Sequence, residues 1–136
     1  MKSTKTILTG AALSLVAGSA FAGSHMASEM TIVSWGGAYS KSQLNAYHDP
    51  YSEMTGVTIL NDDSSSTAVA KLRAMNEAGN ITWDVVDVEA APAMQLCDEG
   101  LAMVIDPDTM LAAAPDGTPA SEDFGDMLVS ECFIPQ

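Results

Sequence analysis

Two aromatic residues, Trp35 and Tyr39, flank a pair of glycines that follows an apolar run ending at Val33. Glycines let the backbone bend sharply and approach a ligand, and a helix that starts there points free N–H groups into the same space. Ligands of open α/β sheets collect outside the carboxyl ends of the strands, so these rings lie where a small molecule would be held. The alternative is that both rings are ordinary core residues. Gly36-Gly37 lacks the spacing of a phosphate-binding loop, so we expect no nucleotide.

Two acidic residues, Asp87 and Glu89, follow the third apolar run of the sequence. We expect them at the same sheet edge as Trp35, because parallel strands end together. A carboxylate there is either the counter-ion of a ligand amine or a residue that complements the helix dipole. Ser66 and Thr67 end a hydroxyl-rich loop after the second run, where they either bind a carboxylate or alcohol or cap the next helix.

Catalytic and metal-binding patterns are missing from the sequence. It has no Ser-His-Asp order, no paired catalytic carboxylates and no metal-ligand cluster. The nearest patterns to a cation site are Asp62-Asp63 and Asp106-x-Asp108, and neither has the spacing of an EF-hand loop. We therefore predict no enzyme, no cofactor and no metal. Two alternatives stay open: an exported hydrolase fragment, and a small acidic protein-binding module with exposed residues among its nine methionines.

Short apolar runs alternate with helix-compatible stretches between residues 30 and 100. This order predicts an α/β fold with a mainly parallel sheet and helices on both faces. We expect Ser40 to cap the first helix, which Pro50 kinks or breaks near Asp49. The predicted elements are the strand that ends at Val33 and the helix that follows it, a strand over 57–60, a helix from Thr67 to Gly79, a strand over 83–88 and a helix over 92–99.

The sequence after Leu101 carries weaker signals. A short helix over 110–114 is followed by turn-forming residues over 115–119 and by a helical turn over 123–127. The apolar residues between 127 and 135 are expected to begin another strand.

Residues 1–22 have the charged, apolar and small-residue parts of a secretory signal peptide. The apolar part is shorter than the about 20 residues that a permanent membrane anchor needs. We therefore expect cleavage after Ala22, periplasmic location and no membrane insertion of the mature chain. Residues 23–29 are interpreted as a flexible N-terminus or the remnant of a cloning tag.

Cleavage would leave Lys41, Lys71 and Arg73 as the lysines and arginines against 18 acidic residues. This charge opposes binding to nucleic acid or anionic lipid and attracts small cations, although an acidic surface also serves solubility alone.

Two cysteines, Cys97 and Cys132, lie in a chain with an export signal. Exported thiols oxidise where geometry allows, and a bridge between them would close a loop of about 35 residues. The alternative is a pair of buried free thiols.

Several segments together resemble the solute-binding proteins of ABC transporters, in the branch that includes the spermidine/putrescine-binding proteins. The resemblance covers nearly all of residues 30–136 and rests on segments that occur in the same order and spacing. These are 33–39 (VSWGGAY), 51–57 (YSEMTGV), 70–72 followed by Gly79, 83–86 (WDVV), 97–101 (CDEGL) and 105–106.

The resemblance implies a type II periplasmic binding fold, with residues 30–136 as an incomplete N-terminal lobe. It also implies a monomeric receptor that delivers a polyamine or related amine to a membrane permease. The ligand-binding residues that it implies are Trp35, Gly36, Tyr39, Ser66, Thr67 and Glu89. Polyamine binders carry a Pro-Ser-Thr or similar turn where this chain has 88–90 (VEA), so another amine or an amino acid is also expected as ligand.

Overall fold

A computed structural model describes residues 28–135 of the chain. The expected signal peptide, and most of the expected flexible N-terminus, lie outside the described residues. Glu29, the last residue of that expected N-terminus, is the first residue of strand β1.

Strands and helices alternate through the first seventy described residues. In chain order the elements are β1 (Glu29–Val33), α1 (Gly37–Gln43), a π-helical turn (Leu44–His48), α2 (Asp49–Thr55), β2 (Thr58–Asp62), a 3₁₀ turn (Ser65–Thr67), α3 (Ala68–Glu77), β3 (Val85–Val86) and α4 (Ala90–Asp98). Three shorter helical elements follow: α5 (Pro107–Met110), α6 (Ala120–Phe124) and a 3₁₀ turn (Gly125–Met127).

The three strands form a parallel sheet with β1 in the centre, in the order β2-β1-β3. Val33 pairs with Asp62 of β2 and with Val86 of β3. Hydrogen bonds extend the β3 ladder at both ends, because Asp84 N–H donates to Thr31 O (3.1 Å) and Asp87 N–H to Val33 O (2.9 Å). The structure thus confirms the predicted α/β class and parallel sheet.

Helices cover the sheet from two sides. Val33 packs into a core cluster with residues of α3 and α4, whereas the hydroxyl of the next residue, Ser34, bonds to Gln43 of α1. Neighbouring residues of an extended strand point to opposite faces, so α1 and the α3/α4 pair lie on opposite faces. The buried members of the cluster are Val33, Ala68, Leu72, Trp83 and Leu96.

The first helical run differs from the prediction at its start, and the irregularity expected near Asp49 is not a break. Helix α1 begins at Gly37, after Gly36 with φ +84°, so Ser40 lies inside the helix and is not its cap. Pro50 does not break the run, since helical backbone continues to Thr55. The irregularity is instead a π-helical turn just before Pro50, in which Asp49 N–H donates to Leu44 O, five residues back.

The second half of the chain also departs from the prediction. Strand β3 is confined to Val85–Val86 within the predicted 83–88, and the preceding Trp83 belongs to the core cluster. Helix α5 begins at Pro107 rather than near residue 110, with Asp106 Oδ1 accepting from Asp108 N–H at 3.1 Å. Residues 127–135 form a 3₁₀ turn, bends and turns, so the strand expected there is wrong.

Residues 101–135 are held together largely by contacts of their own. Ser121 donates from its N–H (2.8 Å) and hydroxyl (2.7 Å) to the Asp108 carboxylate, which lowers the pKa of that group. Ile105 N–H donates to Glu131 O at 2.8 Å. A disulfide joins Cys97 of α4 to Cys132, with Cα atoms 5.6 Å apart. This bond therefore links residues 101–135 covalently to α4 at their far end.

None of the helices between residues 28 and 135 has the length and apolar character needed to cross a bilayer.

Candidate functional site

A cavity of about 990 Å³, here called the main cavity, lies between α1, the residues around β3, α4 and the segment after Leu101. Its lining combines aromatic rings, aliphatic side chains and carboxylates. Concave, mostly apolar sites with a few polar groups are the usual form of small-molecule binding sites.

Trp35, Tyr39 and Glu89 all line the main cavity, although they come from two different loops and a helix. Trp35 is 41% exposed and Tyr39 is 42% exposed, so neither ring is an ordinary core residue. Tyr47, two helical turns beyond Tyr39, also lines the cavity. The structure thus brings three of the six predicted ligand-binding residues together around one space.

Gly36 is not among the lining residues, and its environment explains why the position needs glycine. Its φ of +84° is strained for other residues, and a Cβ there would lie 3.2 Å from Asp63 Cβ. Gly36 N–H donates to Ser40 Oγ at 2.8 Å, and the Ser40 hydroxyl donates to Asp63 Oδ1 at 2.8 Å. Gly36 therefore shapes the turn that presents Trp35.

Ser66 and Thr67 also lie outside the lining of the main cavity. They belong to the 3₁₀ turn before α3, where the Thr67 hydroxyl donates back to Ser64 O at 3.0 Å. The neighbouring Ser65 is buried, and its hydroxyl donates to the backbone carbonyl of Asp87. Ser65, which is not among the predicted site residues, thus connects the loop after β2 to the backbone of Asp87 at the main cavity.

The charged groups of the lining are all acidic: Asp84, Asp87 and Glu89 line the main cavity, and no lysine or arginine does so within residues 28–135. Asp84 Oδ2 accepts from Thr31 N–H at 2.7 Å. Glu89 occupies the position before α4 without a side-chain cap bond, so its carboxylate does not close the helix end. This part of the cavity is therefore suited to a cationic group.

Asp87 is held by neutral donors on its Oδ2 atom. Gln43 Nε2 donates to it at 3.2 Å, and the Ser34 hydroxyl lies 3.2 Å away. Ser34 Oγ also lies 2.5 Å from Gln43 Oε1, so the single hydroxyl proton is shared between two acceptors. Ser34 and Gln43 are both buried. The helical spacing of Tyr39 and Gln43, four residues apart, placed both on one face and could have identified Gln43 from sequence.

Tyr39 and Asp87 interact directly. Desolvation by burial raises the pKa of the Tyr39 phenol, and the negative charge of Asp87 and a hydrogen bond to it raise this pKa further. The phenol therefore stays protonated at neutral pH and keeps a donor next to the Asp87 carboxylate.

His48 adds a buried polar contact at the helix side of the main cavity. Its Nδ1 lies 2.8 Å from Asn61 Oδ1 of β2, which ties the π-helical turn to the sheet. Within residues 28–135 no group of three or more His, Cys, Asp or Glu residues is arranged to hold a metal ion.

Comparisons with known proteins agree with this architecture. A family model described as bacterial extracellular solute-binding protein matches residues 46–134. A gamma-aminobutyric acid-binding protein of Pseudomonas aeruginosa is 36% identical over 105 residues, which cover 77% of this chain and 27% of that protein.

A solved structure of a binding protein has a similar fold over most of this chain. The PBP AgtB from A. tumefaciens R10, in complex with agropinic acid, matches with a TM-score of 0.63 and 30% identity. The match covers 79% of this chain and 30% of AgtB, so the chain spans about a third or less of the length of either relative. Both relatives are named for solute binding and not for a reaction. The chain therefore belongs to the bacterial extracellular solute-binding protein family.

Proposed function

We propose that the protein captures a small solute with a primary ammonium group outside the cytoplasmic membrane and delivers it to an ABC permease. The observation that carries this proposal is the lining of the main cavity, in which aromatic rings and carboxylates occur without a lysine or arginine of residues 28–135. Aromatic faces attract cations, and a partly desolvated carboxylate selects for positive charge.

The ligand class that this lining fits includes amino acids with a terminal amine as well as polyamines. The P. aeruginosa relative is named for gamma-aminobutyric acid, which has a single ammonium group. The Val88-Glu89-Ala90 departure from the polyamine pattern points the same way. We therefore place 4-aminobutyrate first among the candidate ligands and putrescine and spermidine second. The protein acts as a monomer in this proposal.

A thermal-shift screen tests the proposal with 4-aminobutyrate, putrescine, spermidine and the common amino acids. The mature protein is used at the full length that its gene encodes. A ligand that binds only the folded state, present at 100 times its Kd, adds about 2.7 kcal/mol to the free energy of unfolding. We expect at least one amine to raise the midpoint and butyrate, which lacks the amine, to leave it unchanged. No shift with any amine, together with turnover in a hydrolase panel, would reject the proposal.

Replacing Trp35 by alanine is expected to weaken binding of the best amine about 5- to 30-fold, because the ligand loses the face of the indole. The free energy of unfolding should change by only about 0.5–1 kcal/mol, since the ring is 41% exposed. Isothermal titration calorimetry and urea unfolding measure the two quantities.

The matched control is Tyr51→Ala, which removes a partly exposed aromatic ring outside the main cavity. It should bind the amine as the wild type does. Equal affinity in Trp35→Ala and the wild type would remove Trp35 from the site.

Protein binding is a second candidate function, and exposed methionines favour it. Met54 is 79% exposed and Met103 is 68% exposed, and three others are also more than a third exposed. Flexible thioether side chains are common on surfaces that bind other proteins. A protein that shows no ligand-induced shift and forms a stable complex with a protein other than a permease would favour this function.

A further inference from the structure

The three carboxylates of the main cavity differ in how they are held. Glu89 and Asp84 are exposed, and Asp84 already accepts a backbone N–H of β1. Asp87 is half-buried, lies at the carboxyl end of β3 and accepts from two buried side chains. It is therefore the carboxylate with the most restricted position.

Asp87 also forms no ion pair with a lysine or arginine of residues 28–135. Within residues 28–135 the one ion pair joins Arg73 to Glu99 on the surface. The donors to Asp87 Oδ2, from Ser34 and Gln43, are neutral. A partly buried carboxylate with neutral donors alone gains more from an approaching cation than an exposed one, because water screens the exposed charge.

The neighbours of Asp87 fit the rest of such a ligand. Tyr39 interacts with Asp87 and lines the main cavity with Trp35. An ammonium group at Asp87 would therefore have its methylenes beside two aromatic rings.

We propose that Asp87, rather than Glu89, is the main ion-pair partner of the ligand ammonium, and that Ser34 and Gln43 are positioning residues that fix its carboxylate. This inference rests on the proposed function and names the group within the site that selects for the amine.

The test compares two isosteric neutralisations, Asp87→Asn and Glu89→Gln, by titration calorimetry with 4-aminobutyrate and with putrescine. The mature protein at the full length that its gene encodes is used. Asp87→Asn should weaken binding of the better probe about 30-fold or more, whereas Glu89→Gln should change it less than about threefold. A larger loss in Glu89→Gln than in Asp87→Asn would overturn the inference.

Two further outcomes are distinguishable. If the wild type binds neither probe nor any other amine of the screen, the proposed function and this inference both fail. If the wild type binds an amine and Asp87→Asn binds it equally well, this inference alone fails.

A second variant covers the case in which Asp87→Asn does not fold. Gln43→Met keeps the Asp87 charge and removes one donor that fixes it. Its affinity for the amine should fall about 3- to 10-fold, while a circular-dichroism melt shows that it is folded. Folded Gln43→Met with unchanged amine affinity would overturn the positioning role of Gln43 and the inference built on it.

Discussion

Replacing Cys97 and Cys132 by serine is expected to lower the free energy of unfolding by about 3–4 kcal/mol. The disulfide closes a loop with a sequence separation of 35, and its loss returns that conformational freedom to the unfolded chain. Urea unfolding of the oxidised wild type and of the double variant, monitored by tryptophan fluorescence, measures the difference.

The control for this prediction is the reductant itself. Dithiothreitol should destabilise the wild type by as much as the double substitution does, and it should not affect the double variant. Thiol titration of the oxidised, denatured wild type should find no free thiol. Two free thiols would contradict the bridge, and the alternative of buried thiols would then hold.

Replacing Trp83 by alanine is expected to cost about 3–5 kcal/mol, because it leaves a large void in the core. Trp83 is 8% exposed and belongs to the core cluster. Its indole N–H donates to Asp62 Oδ2 at 3.2 Å, and Lys71 Nζ lies 5.2 Å from the centre of the ring. The residue therefore links β2, α3 and the start of β3. Urea unfolding measures the loss.

Two matched variants separate the contributions of Trp83. Trp83→Phe keeps an aromatic ring and loses the hydrogen bond, so it should cost less than Trp83→Ala. Tyr47→Ala removes a ring that is 62% exposed and should change the free energy of unfolding little. An equal cost of Trp83→Ala and Tyr47→Ala would show that Trp83 does not hold the core.

The order of the first three strands and the helices between them was predictable, because each apolar run is short and is followed by a glycine or a polar loop. The local errors have physical causes. Serine is a common helix cap, but helix α1 begins at Gly37, so Ser40 lies inside the helix. Its hydroxyl oxygen accepts from Gly36 N–H. The strand expected over 127–135 was wrong because apolar residues there pack along the main cavity without a neighbouring strand.

The site was predictable where it depends on strand ends, and less so elsewhere. Trp35 and Glu89 follow β1 and β3, which are adjacent in the sheet. The expectation that residues after parallel strands meet at one sheet edge therefore placed both around one cavity. Ser66 and Thr67 follow β2, which lies on the other side of β1, and strand order cannot be read from the sequence pattern. The spacing of Tyr39 and Gln43 places both on one helix face, but the contacts of Gln43 with Ser34 and Asp87 join residues that follow two different strands and are not encoded by a local pattern.

The π-helical turn at Leu44–His48 determines how far α2 is rotated about the helix axis relative to α1. One additional residue in a turn rotates everything after it by about 100° relative to an uninterrupted α-helix. The cavity-facing row of Tyr39, Gln43 and Tyr47 accordingly ends there, and Met54 further along is 79% exposed. Insertion or deletion of a single residue in this turn would therefore rotate α2 about the helix axis relative to α1, and it would also move Tyr47 and His48, which lie in the turn, relative to the main cavity.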